Sequence, residues 1–137
     1  MKNVIKKSFA TVLATLIFVM SLGITACAGD IVPYADTEFA SATTNLTSSK
    51  IAEFDATTNS SKSAIKVTAC VLQKEVNSKW EKVTDLTPPS HVAKNTNFYS
   101  ASVGYSSSIG KGKYRIVTTW DADGHSITRN SNTRTFN

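Results

Sequence analysis

Apolar and polar residues alternate with a period of two through most of the chain beyond residue 38. In the run Ala64–Lys74, Ile65 and Val67 fall on one face and Cys70 on the other. In the run Lys113–Asp121, one face carries Tyr114, Ile116, Thr118 and Trp120. Such alternation is typical of β-strands, and no stretch of about 12 residues beyond the N-terminal segment has the spacing of an amphipathic helix. The sequence therefore predicts an all-β fold.

Turn-forming residues divide the chain into about seven strands. Asp123-Gly124 is a strong hairpin signal, because glycine accepts the positive φ that a tight turn needs. Asn77-Ser78 predicts a second turn, the polar segment 58–63 a third, and Pro88-Pro89 the end of a paired strand. The predicted strands are 39–46, 50–57, 64–74, 80–86, 98–105, 113–121 and 126–136. This spacing predicts a single antiparallel β-sandwich over residues 38–137.

The segment 1–28 has the three parts of a bacterial signal peptide. Lys2, Lys6 and Lys7 form a positive start, and Phe9–Leu22 is an apolar run without charges, followed by small residues. This run of about 14 residues is shorter than the roughly 20 that a membrane-spanning helix needs. The sequence therefore predicts a helical signal peptide and a protein that acts outside the cytoplasm.

Two cleavage sites compete at the end of this segment. Ala26-Cys27-Ala28 is an A-x-A site, which would release a mature chain that starts near Gly29, with residues 29–37 as a leader. Ile24-Thr25-Ala26-Cys27 also resembles the lipobox of bacterial lipoproteins, in which Cys27 is lipidated and anchors the chain. The sequence favours release and a secreted protein, and a cell-surface lipoprotein is the alternative. In both cases the chain meets the membrane only through the signal peptide or a lipidated Cys27.

The charge of the chain argues against one class of partner. The chain has 15 Lys and Arg and 10 Asp and Glu residues, and cleavage after residue 28 removes three lysines and no acid. The remaining 12 basic and 10 acidic side chains do not form the basic patch that nucleic acids need, so no nucleic-acid partner is predicted. Lys113 and Arg115 are close in the sequence and are interpreted as part of a solvated strand face.

The strand Gly112–Trp120, followed by Asp123-Gly124-His125, resembles the last hairpin of fibronectin-like and immunoglobulin-like modules. Residues 32–137 also resemble a group of small exported proteins of Gram-positive bacteria with no assigned function. The matching parts are Val32-Pro33-Tyr34-Ala35, Ile65-Lys66-Val67, Trp80-Glu81-Lys82-Val83 and the Tyr114–Ser131 hairpin. The resemblance implies an immunoglobulin-like β-sandwich behind a signal peptide, and it supplies no catalytic residues.

No set of residues stands out as a catalytic, cofactor-binding or metal site. His91 and His125 have no second His or Cys at the spacing of zinc ligands. Asp121-Ala122-Asp123-Gly124 resembles the start of a calcium loop, but Asn132 stands where that loop needs a bidentate Glu. Cys70, in an apolar strand without a catalytic partner, is predicted to be a buried, unreactive thiol. The sequence therefore predicts no enzyme and no cofactor.

Aromatic side chains are the remaining candidates for a functional surface, because they stack on ligands as readily as they fill cores. Trp80 and Tyr99 are the predicted ligand-contact residues, whereas Trp120 is predicted to lie in the core. We expect a non-catalytic binding module whose partner is a glycan, a protein or the cell wall. The alternatives are a secreted bacteriocin-like antagonist, a cell-surface lipoprotein anchored through Cys27, and an enzyme with an unrecognised site. An antagonist would kill or permeabilise neighbouring bacteria, and a binding module would do neither.

Overall fold

Seven antiparallel strands and no helix make up residues 36–137, the part of the chain that the computed structural model describes. The strands are β1 (Phe39–Leu46), β2 (Ile51–Val76), β3 (Lys79–Leu86), β4 (Val92–Gly104), β5 (Gly112–Ala122), β6 (His125–Asn130) and β7 (Arg134–Phe136). The prediction of an all-β, antiparallel fold of about seven strands is confirmed. The predicted signal peptide, Cys27 and the leader up to residue 35 lie outside the described residues.

The strand β2 is 26 residues long and connects the two halves of the sheet. Its first half pairs with β1 on one edge and with β4 on the other, and its second half pairs with β5 and β3. The two sets of partners meet at Ile65 and Lys66, which pair with both β4 and β5. The short strands β6 and β7 both pair with β5. All seven strands therefore belong to one hydrogen-bonded sheet.

The two halves of this sheet face each other across the core. The ring of Trp120 on β5 lies 6.2 Å from that of Phe54 on β2 and 5.4 Å from that of Tyr99 on β4, centroid to centroid. The Oγ1 atoms of Thr44 on β1 and Thr118 on β5 are 2.8 Å apart and buried. The sheet thus folds over on itself, with apolar side chains of both halves between its layers. The likeness to immunoglobulin-like modules stays a prediction.

The polar segment 58–63, predicted as a turn, is instead part of β2. No glycine or proline interrupts the segment, and its backbone finds partners without a chain reversal. The N–H groups of Ser63 and Ala64 donate to the Asp123 carboxylate at 3.0 and 2.9 Å. The register against β4 shifts within the segment. Here β2 passes from one half of the folded sheet to the other.

A β-bulge in β2 changes which side chains face the core. The register against β5 shifts between Val67 and Ala69. Because one extra residue inverts the alternation, Cys70 faces the core together with Ile65 and Val67, and its predicted position on the opposite face is wrong. Its predicted burial is confirmed. Burial raises the pKa of the Cys70 thiol to about 11, so the thiolate is not populated at neutral pH.

The two predicted hairpin turns are confirmed. Asn77 and Ser78, between β2 and β3, have φ angles of 50° and 63°. Asp123 and Gly124, between β5 and β6, have φ angles of 51° and 87°. Positive φ at both central residues is the geometry of a two-residue turn whose twist matches that of the flanking strands. Pro88-Pro89 lies between β3 and β4, outside any strand, as predicted.

Asp36 fastens the start of the described chain to the β5–β6 hairpin. Its carboxylate accepts hydrogen bonds from the N–H groups of Glu38 and Phe39 at 2.9 and 2.8 Å, and it lies 3.0 Å from His125 Nε2. Desolvation acts to raise the pKa of Asp36, but these hydrogen bonds and the charge of His125 outweigh it and lower the pKa to about 2. The carboxylate is therefore more stable as an anion in the folded chain than in the unfolded one.

Asp36→Asn is expected to remove part of the acid sensitivity of the domain. Because the folded pKa is depressed, the anion stabilises the fold above pH 4 or so, and this contribution is lost as the pH falls through about 2. We expect the wild type to exceed the variant by about 1 kcal/mol in free energy of unfolding at neutral pH, because solvent screens part of the interaction, and the difference to vanish near the folded pKa. Urea titrations at a series of pH values measure this difference. A difference that does not change with pH would contradict the assignment.

Candidate functional site

Trp80 lies on the outward face of the sheet, on the edge strand β3. It follows the Asn77-Ser78 turn and stands directly opposite Glu75 of β2. Its side chain is half-buried, whereas Trp120 is fully enclosed, so the predicted place of Trp120 in the core is confirmed. Trp80 is thus the tryptophan that a molecule in solution can reach.

Two cations of β5 reach the Trp80 ring across β2. The Cζ atom of Arg115 is 4.4 Å from the ring centroid, and Nζ of Lys113 is 5.9 Å from it. Since β3 and β5 flank β2, the ring lies over the outward side chains of β2. Cation–π contacts contribute about 0.5–1 kcal/mol each at exposed sites, so they fix the ring in place. We call Trp80, Arg115, Lys113, Gln73 and Glu75 together the Trp80 face.

The two cations of the Trp80 face are unequally neutralised. Nζ of Lys113 is 2.6 Å from Oε2 of Glu75, so its charge is paired. Arg115 Nε donates to the neutral Oε1 of Gln73 at 2.8 Å, and the guanidinium forms no salt bridge among residues 36–137. Gln73 and Trp80 hold the guanidinium plane, while the Nη donors remain available. The face therefore offers a positive, oriented donor beside an aromatic ring.

Tyr99, the other predicted ligand-contact residue, belongs to the core and not to a binding face. Its side chain is 0% exposed, and its hydroxyl donates to the His91 carbonyl oxygen at 3.4 Å. Burial, with a further effect of Cys70, raises the pKa of this phenol to about 12. The alternation within β4 is the reason: Tyr99 points inward, and its neighbour Phe98 points outward. This corrects the sequence-based expectation and leaves Trp80 as the candidate.

Three acidic residues outside the Trp80 face take part in local structural contacts. Asp85 forms a salt bridge with Lys82 at 2.8 Å. Asp121 accepts a hydrogen bond from the Ser126 hydroxyl at 3.2 Å, and Asp123 accepts two from the backbone of β2. Within residues 36–137, no group of three or more His, Cys, Asp or Glu side chains is placed to hold a metal ion. None of the described segments is a helix with the length and apolar character to span a membrane.

Of the Trp80 face, the sequence singles out only Trp80; it does not identify the two cations, Arg115 and Lys113, or their partners Gln73 and Glu75. Alternation along β5 does put Arg115 and Lys113 on the outward face, in agreement with the prediction of a solvated strand face. Arg115 and Lys113 contact Trp80 only because β3 and β5 both pair with β2, one on each side. This pairing is non-local, because it follows from how the 26 residues of β2 are shared among four partners. The available sequence signal for Arg115 is an arginine at an outward position of a strand.

The comparison with known family models and curated proteins finds no match. The resemblance to small exported proteins therefore stays a prediction. The geometry of the Trp80 face is the feature from which a function can be inferred.

Proposed function

We propose that this chain is an exported, non-catalytic binding module that holds an acidic glycan of a cell wall or cell surface on its Trp80 face. The observation that carries the proposal is Arg115, which stacks 4.4 Å from the centroid of a half-buried tryptophan ring and forms no salt bridge among residues 36–137. Trp and Arg are the residues most enriched among those that dominate binding energies. Their combination on an outward face favours a ligand with an apolar surface and an anionic group.

A sugar that carries a carboxylate or a phosphate has both of these features. The part of the Trp80 ring that stays exposed provides a flat apolar surface for the C–H groups of a sugar ring. The free Nη groups of Arg115 can donate two parallel hydrogen bonds to a carboxylate or phosphate, which a lysine cannot do. Because Lys113 is already paired with Glu75, Arg115 is the residue that would select the anionic group.

The residues of the Trp80 face lie on strands and not on loops, which supports binding by a preformed surface. Trp80 is one residue beyond the start of β3, and Arg115 lies within β5. Both strands are hydrogen-bonded to β2 along the residues concerned. A rigid site of this kind loses little conformational entropy when a ligand binds. The structural contacts of Asp85, Asp121 and Asp123 support binding without catalysis.

Trp80→Ala and Arg115→Gln are each expected to weaken binding to a soluble acidic cell-wall glycan by about 1–3 kcal/mol, which is the range of stacking and charged hydrogen-bond losses. Calorimetric titration of the processed protein measures the affinity. Ile51→Ala is the matched control, because it removes an exposed apolar side chain from the other half of the sheet. The proposal fails if the wild type does not bind, or if Trp80→Ala and Ile51→Ala bind equally well.

Arg115→Lys separates charge from geometry at the same site. The lysine keeps the positive charge but loses the planar pair of donors. If Arg115 binds an anionic group through paired hydrogen bonds, this variant is expected to lose nearly as much affinity as Arg115→Gln. Full retention of affinity in Arg115→Lys would show that only the charge matters.

Export is the other half of the proposal, and it predicts a defined N-terminus. Mass spectrometry of the protein from its producing cells is expected to find either a chain that begins near Gly29 or a lipidated Cys27. The first result indicates release into the medium, and the second indicates a cell-surface lipoprotein. Detection of Met1–Leu22 in the extracellular protein would contradict cleavage by a signal peptidase.

A further inference from the structure

The strand β4 has one edge without a partner among residues 36–137, since it pairs only with β2. The N–H of Tyr105 donates to the Lys50 carbonyl just beyond the end of β4. In an antiparallel ladder such bonds recur at every second residue, so Val103, Ala101 and Tyr99 also point toward β2. The backbone N–H and C=O groups of the intervening residues point to the free edge. These residues are Phe98, Ser100, Ser102 and Gly104.

This edge of β4 lacks the charged residues and prolines that usually prevent an edge strand from pairing with another chain. The segment from Asn95 to Gly110 contains no charged residue and no proline. The edge strand β3, by contrast, carries two lysines, a glutamate and an aspartate among residues 79–86, and one of these lysines, Lys82, forms a salt bridge with the aspartate, Asp85, at 2.8 Å. At the end of β1, the Leu46 backbone is already bonded to the side-chain amide of Asn132 at 2.6 and 3.1 Å. Charges, prolines and covering groups are the usual protection of edges, and the part of β4 from Asn95 to Gly104 has no charge and no proline.

The outward side chains of β4 are complementary to themselves. If two copies pair antiparallel about a twofold axis at Ala101, Phe98 of one copy stands opposite Gly104 of the other, and Ser100 stands opposite Ser102. Phe98 is 55% exposed, the highest value among the exposed large apolar residues of the segment 36–137. Nothing lies within 4 Å of the position that a Cβ atom of Gly104 would take. Each phenyl ring therefore has an open glycine to cover, and no like charges meet.

We propose that the β4 edge pairs with the β4 edge of a second copy of this chain, with the twofold axis at Ala101. The pairs Phe98–Gly104 and Ser100–Ser102 each occur twice about the axis, and each could exchange two backbone hydrogen bonds. The Phe98 N–H of each copy is already bonded to the Thr96 hydroxyl at 3.2 Å, so the paired strands would share about six backbone hydrogen bonds. Such a contact is isologous, so it closes as a dimer and does not extend into a fibre. A contact of one strand from each copy is small, and its dissociation constant lies between about 1 µM and 1 mM.

Sedimentation velocity of the processed protein over a concentration series tests the proposal. The wild type is expected to shift from monomer to dimer as the concentration rises, and Phe98→Lys is expected to stay monomeric. Val83→Lys is the matched control, because Val83 is also an exposed apolar residue, 47% exposed, but lies on β3. Phe98 is largely exposed, so its variant is expected to fold, and circular dichroism checks this. A wild type that stays monomeric up to about 1 mM would overturn the proposal, as would loss of the dimer in Val83→Lys.

Ala101→Cys tests the register independently of Phe98. Residue 101 stands opposite itself in the proposed pair, at a position where the backbones approach most closely. The new cysteine is expected to form a disulfide between two copies on mild oxidation, while the buried Cys70 does not react. Ser126→Cys on β6, an exposed strand position elsewhere, is the control and is expected to give little cross-linking. Equal cross-linking of the two variants would contradict the pairing at β4.

Discussion

Ile65→Asp is expected to unfold the domain at room temperature. Ile65 is 0% exposed and lies where β2 passes between the halves of the sheet, with Ala93 of β4 on one side and Ala122 of β5 on the other. The change removes about 2 kcal/mol of apolar burial and places a charge without a partner in the core, which costs a further 3–5 kcal/mol or so. The sum reaches the roughly 5–15 kcal/mol of stability that a domain has in total.

Circular dichroism and urea titration measure this effect, and the adjacent residue provides the control. Lys66 is exposed, because successive residues of a strand point to opposite faces. Lys66→Asp is therefore expected to change the free energy of unfolding by less than about 1 kcal/mol. If Ile65→Asp folds with near wild-type stability, the place where β2 changes partners is not part of the core.

Trp120→Ala is expected to lower the free energy of unfolding by about 3–5 kcal/mol, the range for deletion of a large aromatic side chain from a core. Its ring is 0% exposed and makes edge-to-face contacts with Phe54 and Tyr99. Since Phe54 and Tyr99 belong to the facing layer, the alanine variant would leave a cavity between the two halves of the sheet. Urea titration of the variant measures the loss.

Trp120→Phe is expected to lower the free energy of unfolding much less than Trp120→Ala does, because an aromatic ring remains between the two layers. Nε1 of Trp120 is a buried side-chain polar atom with no hydrogen-bond partner in the described part of the chain. Phenylalanine therefore removes volume but breaks no hydrogen bond, and we expect a loss of about 1–2 kcal/mol. A Trp120→Ala variant that is as stable as Trp120→Phe would mean that the ring does not join the two layers.

Local signals predict the turns and most of the core. Asn77-Ser78 and Asp123-Gly124 are recognisable because each needs residues that accept a positive φ, and both turns are where the sequence puts them. The face of β5 that ends in Trp120 is also recognisable, because strict alternation continues through the strand without a bulge. Where the local rule is unbroken, the sequence is sufficient to decide which side chains are buried.

Non-local features are where the sequence-based predictions fail. The segment 58–63 has a polar composition that indicates a turn. However, the carboxylate of Asp123, far along the chain, accepts hydrogen bonds from the N–H groups of Ser63, its last residue, and of Ala64, and the strand continues. The bulge near Ala69 inverts the face of Cys70 without any glycine to mark it. The contact between Trp80 and Arg115 arises only because both neighbouring strands pair with β2.

The long strand β2 connects the stability of the domain with its proposed function. Its second half carries Leu72 toward the core and Gln73 toward the Trp80 face, on successive residues. The register of this half, set by the bulge, therefore determines which residues lie beneath the Trp80 ring. A variant that shifts this register is expected to alter the core and the site together.

Fluorescence of Trp80 alone tests the central claim most directly. The chain has two tryptophans, so in Trp120→Phe the emission comes from Trp80. On titration with a soluble acidic cell-wall glycan, we predict a saturable blue shift and reduced quenching by acrylamide, because the ligand covers the exposed part of the ring. Adding Arg115→Gln is predicted to shift this response to a glycan concentration about 5- to 150-fold higher, which is the expected loss of about 1–3 kcal/mol in binding. If the glycan binds to the protein while the emission and quenching of Trp80 stay unchanged, binding occurs elsewhere and the Trp80 face is not the site.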